Sequence, residues 1–110
     1  MAASDTRRRQ IETLRDDAVR AFQGGKPYQA LRITRQLIGL LPSEELFPMY
    51  SEQYENMARI FFVLGDMENA EKYATLSLRT LAEQGYIQSV GPDHLERMWK
   101  RFREEEGGRY

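Results

Sequence analysis

Apolar residues recur along this chain at helical spacing in five successive segments. In the first, from about Thr6 to Gln23, Ile11, Leu14, Ala18, Ala21 and Phe22 fall on one face. Gly24 and Gly25 stop it. Pro27 suits the first turn of a second helix, whose apolar face is Ala30, Ile33, Leu37, Ile38 and Leu41 before Pro42 ends the run. Ser43 to Phe47 reads as a connecting turn, because Pro48 disfavours helix at the residue before it and fits the start of a third helix. That helix buries Tyr50, Tyr54, Met57, Ala58, Phe61 and Leu64. Gly65 breaks it, and Asp66 supplies an N-cap for a fourth helix from Met67 to about Gln84. After Gly85 an irregular loop passes through Val90, Gly91 and Pro92. Asp93, with Glu96 three residues on, predicts a capping box opening a fifth helix striped by Leu95, Met98, Trp99 and Phe102.

Helices joined by turns this short pack antiparallel. The expected fold is therefore all-α: two antiparallel helical hairpins and a C-terminal capping helix. The 110 residues suffice for one modest core. We expect residues 1–5 to be disordered, 6–106 to form a single helical domain, and 107–110 to fray.

Sliding the chain against itself by 40 residues pairs Ala18 with Ala58, Phe22 with Phe62, Gly25 with Gly65 and Ala30 with Ala70. The second helices match in pattern, with Ile33, Leu37, Ile38 and Leu41 opposite Tyr73, Ser77, Leu78 and Leu81. Alanine lets two helices approach closely, and glycine accepts the backbone conformation of the corner. The sequence is an internal repeat.

Tyr54, Ala58, Phe61, Gly65, Ala70 and Ala74 resemble the aromatic, small and turn positions of a tetratricopeptide repeat; Leu14, Ala18, Ala21, Gly25 and Ala30 form a weaker copy. The period departs from the roughly 34 residues of that family, and Thr34 and Ser77 stand where larger or purely apolar residues are usual. A narrower resemblance, over about Ile11 to Arg103, is to the C-terminal helical region of fungal proteins with a SET methyltransferase domain, including the SET and MYND type. The first resemblance implies a solenoid whose groove is lined by the first helix of each hairpin. The second implies a region that shapes access to a catalytic domain.

Charge and chemistry narrow the function classes. Net charge is −1, with 16 Lys and Arg against 17 Asp and Glu, so the overall field does not direct the chain to nucleic acid. The basic runs Arg7–Arg9 and Lys100, Arg101, Arg103 have acidic neighbours, Glu104 to Glu106 among them. No apolar run reaches the roughly 20 residues of a membrane span, and the start lacks the apolar core of a secretory signal. A cytoplasmic or nuclear protein is expected. There is no cysteine, one histidine and no Gly-rich phosphate loop, so neither an enzyme nor a cofactor or metal site is expected. His94 is read as a helix-start residue. The chain also lacks the motifs that would carry methyl transfer.

The expected activity is binding of a protein or peptide segment by a non-catalytic helical-repeat module. Its surface is assigned to Arg15, Val19, Phe22, Glu55, Asn56, Arg59 and Phe62, on the first and third helices. By the tetratricopeptide resemblance, Arg15 and Asn56 lie near positions that hold a terminal carboxylate in clamp-type repeats, whereas Val19 replaces an expected asparagine. Two alternatives stand beside this: a fragment of a SET-type protein lysine methyltransferase, and a self-assembling scaffold. With two hairpins the groove is shallow, and a homodimer through an open end would complete it.

Overall fold

The computed structural model describes residues 2–41 and 47–108. Within them lie five helices and no strand: α1 (Ala2–Gln23), α2 (Pro27–Leu40), α3 (Phe47–Val63), α4 (Met67–Glu83) and α5 (Pro92–Gly108). The protein is all-α, with about five helices as expected. The start of α1 lies four residues before the expected Thr6, since nothing between Ala2 and Thr6 breaks a helix and Asp5 in the first turn suits its positive end. At the other terminus α5 continues to Gly108, past the expected fraying point. Most of the connecting turn expected at Ser43 to Phe47 lies outside the described residues, and its last residue begins α3.

Both hairpin corners are built alike. Gly25 and Gly65 have φ of +77° and +80°. The Gly25 N–H donates to the Phe22 carbonyl and the Lys26 N–H to Ala21, and Gly65 and Asp66 repeat the pair onto Phe62 and Phe61. This double bond from a left-handed residue satisfies carbonyls that the helix end leaves open. Gly85, φ +79°, ends α4 in the same way. The corners differ in what starts the next helix: Asp66 accepts from the Asn69 N–H and caps α4, while α2 relies on Pro27 and no side-chain cap.

Helix α1 packs on α2, α3 on both α2 and α4, and α5 on α4 and α3. The central core joins Ala18, Ala21, Ala30, Leu31, Ile33, Met57, Ile60, Phe61 and Ala70 from four helices. Ala30, Ala58, Ala70 and Ala74 have no exposed surface, which lets the helix backbones approach closely. Met98 and Phe102 of α5 close a second cluster with Ala58, Ala74 and Leu78. Phe102 lies 40 residues after Phe62, and Met98 40 after Ala58, so α5 continues the internal repeat as the first helix of a further period.

The capping box expected from Asp93 and Glu96 does not form. The helix starts at Pro92, and His94 reaches back so that its Nδ1 accepts the Gly91 N–H at 3.4 Å. That is the part a glutamate plays in a capping box. His94 is half-buried and has a structural task.

Candidate functional site

On α3, Glu52, Glu55, Asn56 and Arg59 follow one another at helical spacing and form a polar stripe. The neighbouring first helices meet it from both sides. Arg15 of α1 bonds Glu52 with Nε at 3.1 Å and Nη2 at 2.6 Å. From α5, Arg101 reaches Glu55 at 3.0 Å, and Glu105 accepts from Arg59 Nε at 2.6 Å and Nη2 at 3.3 Å. Arg59 also bonds Asn56 Oδ1 at 2.6 Å and Glu55 at 3.1 Å. A ladder of opposite charges thus crosses α1, α3 and α5.

The rungs differ in strength because they differ in exposure. Arg15 and Glu52 are each more than 40% exposed, as is Arg101, so these pairs are each worth about 0–1 kcal/mol. Arg59 is only 8% exposed, and its guanidinium lies 4.9 Å from the Phe102 ring centroid. Buried among two carboxylates, an amide and an aromatic face, it anchors α5 to α3.

Of the seven residues assigned from the sequence, Arg15, Glu55, Asn56 and Arg59 take part in the ladder. Val19 is half-buried one turn beyond Arg15. Phe22 and Phe62 pack against the central core. Phe62 is also stacked on Trp99 at 5.7 Å and meets the edge of Phe102 at 5.6 Å, so α5 covers much of the surface it was expected to offer. Glu52, Arg101 and Glu105 belong to the ladder and were not assigned. The signal for Arg101 and Glu105 is a constant offset: Glu55 to Arg101 and Arg59 to Glu105 both span 46 residues.

A second polar feature lies inside. Gln53, 1% exposed, accepts from Asn56 Nδ2 at 3.4 Å, while its own Nε2 has no partner among the described residues. Between α3 and α4, Tyr54 stands between Tyr50 and Tyr73 with ring centroids 6.2 and 6.3 Å away. Burial first, then the neighbouring Tyr50 and Tyr73, pushes its phenol above the ordinary tyrosine value.

Among the described residues no group of three His, Cys, Asp or Glu side chains is placed to hold a metal ion. No described helix is long and apolar enough to cross a membrane. Comparison with models of known families, with curated proteins and with solved structures finds no match for this chain.

Proposed function

We propose that the chain is a non-catalytic, tetratricopeptide-like interaction module that binds a segment of another protein along the face shared by α1 and α3. The observation that carries this reading is the charge ladder. Its outer rungs, Arg15 with Glu52 and Arg101 with Glu55, are surface pairs. Such pairs contribute so little to stability that a partner's charges exchange for them at small cost. Rigid helices supply the backbone of the surface, and Val19 and Asn56 lie between its charges. A cytoplasmic or nuclear location accompanies the reading. No feature of the geometry favours the SET-region or scaffold alternative over it.

Arg59 is a poor probe of this surface, since Arg59→Glu would set a third carboxylate against Glu55 and Glu105. The test uses Arg15 and Asn56, which are half-buried and lie outside the core clusters. Peptides selected on the wild-type protein from a random displayed library should lose at least about tenfold in affinity, roughly 1.4 kcal/mol, for Arg15→Glu and for Asn56→Ala, with helicity unchanged. Selected peptides that bind both variants as well as wild type would remove the reading.

A further inference from the structure

The outer face of α2 carries positive charge on a helix that has no carboxylate. Tyr28, Gln29, Arg32, Arg35, Gln36 and Gly39 are all exposed there. Among the described large hydrophobic residues Tyr28 is the most exposed, at 73%. Helix α2 contains no acidic residue. Among the described residues neither Arg32 nor Arg35 has a carboxylate within ion-pair distance. The repeat supplies an internal control. In α4 the positions of Tyr28, Arg32 and Arg35 are held by Glu68, Lys72 and Thr75, a face of mixed charge, although Ala30, Thr34 and Leu37 and their counterparts Ala70, Ala74 and Ser77 are all buried.

The asymmetry extends to the whole hairpin. Up to Leu41 the chain has eight basic and four acidic residues; after it there are eight basic and thirteen acidic. The positive excess therefore lies in α1 and α2. On α1 the five arginines share the helix with Asp5, Glu12, Asp16 and Asp17, the run Arg7–Arg9 lying between Asp5 and Glu12, whereas the arginines of α2 have no carboxylate on their own helix.

We propose that this face docks an acidic helical segment of a partner protein, on a helix that contributes no residue to the charge ladder. Arg32 and Arg35 stand one turn apart, about 4.5 Å along the axis, and match two carboxylates spaced three or four residues apart on a facing helix. Tyr28, one turn before Arg32, offers an aromatic anchor for an apolar side chain, and Gln29 and Gln36 offer amides at the rim. Exposed arginine and tyrosine are the residues that most often concentrate binding energy. A nucleic acid fits less well, because a continuous phosphate backbone needs a longer basic track than two arginines and Lys26, free of carboxylates such as those on α1.

The experiment is an amide-resonance titration of the full chain. The probe is a capped Ala/Leu peptide of about four helical turns, with glutamates on one face, and its glutamine counterpart is the control. Saturable shifts confined to residues 26–39, at least about tenfold weaker for the double variant R32E/R35E and weakened for Y28A, are expected. Both variants change exposed side chains, so helicity is kept. Shifts elsewhere, no shifts, equal shifts with the glutamine peptide, or binding that survives R32E/R35E would overturn the proposal. So would a single-stranded DNA oligonucleotide that shifts the same amides at lower concentration than the acidic peptide.

Discussion

The hydroxyls of Ser51 and Ser77 each donate to the backbone carbonyl of the other, at 3.2 and 2.8 Å, with the two hydroxyl oxygens 3.1 Å apart. Both side chains are buried. In the first hairpin the repeat-related positions hold Ile11 and Leu37, equally buried and in one apolar cluster. A hydrophobic contact in one hairpin is thus a reciprocal hydrogen-bonded pair in the other. Replacing Ser51 or Ser77 by alanine should each cost about 1 kcal/mol. The double replacement should cost about their sum, because each hydroxyl donates to a backbone carbonyl that the other replacement leaves in place. Urea midpoints of the four proteins of the cycle measure this.

The corner and helix glycines should respond with opposite signs. At Gly65 an added methyl meets nothing within 4 Å, yet φ is +80°, so Gly65→Ala should destabilise by about 1–2 kcal/mol through backbone strain alone. Gly39 lies in α2 with equally open surroundings and no positive φ. There Gly39→Ala should stabilise by about 0.5–1 kcal/mol. Thermal melts of the two variants would show the contrast.

Trp99 is the single tryptophan, and its stacking on Phe62 of α3 makes its fluorescence a report on the docking of α5 against α3. Arg59→Leu should leave the half-buried Glu105 without its cation and Glu55 with Arg101 alone, at a cost of about 1–3 kcal/mol. Trp99 emission should shift to the red at lower denaturant than in wild type. Arg101→Ala removes an exposed pair and should change stability by less than about 1 kcal/mol.

Asp66 gives α4 a pH dependence. The Asn69 side chain, then the Asn69 backbone N–H, hold its carboxyl below the ordinary range. Its contribution is complete above the unfolded-state pKa and is lost as pH falls through the lowered folded value. Asp66→Asn retains an acceptor without the titration. The stability difference between wild type and this variant should therefore narrow with acidification below the ordinary carboxyl range, as read from urea midpoints at successive pH values.

Local features were legible in the sequence: the apolar stripes, the glycine corners and the Asp66 cap each depend on residues within one or two turns. The start of α1 was less so, because no breaker marks it. The polar interior was not legible. Ser51, Gln53 and Arg59 occupy buried positions, and for Ser51 and Arg59 the key partners, Ser77 and Glu105, are distant in sequence. For the same reason the sequence pointed to part of the ladder on α1 and α3 while missing what α5 brings to it.

The recurrence that places Phe102 one period beyond Phe62 makes the molecule modular. Helices pack chiefly on neighbours in chain order, so cohesion is supplied from one link to the next and not by a centre that every segment must reach. Inserting another copy of residues 47–86 before α5 would lengthen the row while keeping both existing ends. Size, in this architecture, is a variable that can change without redesigning what is already folded.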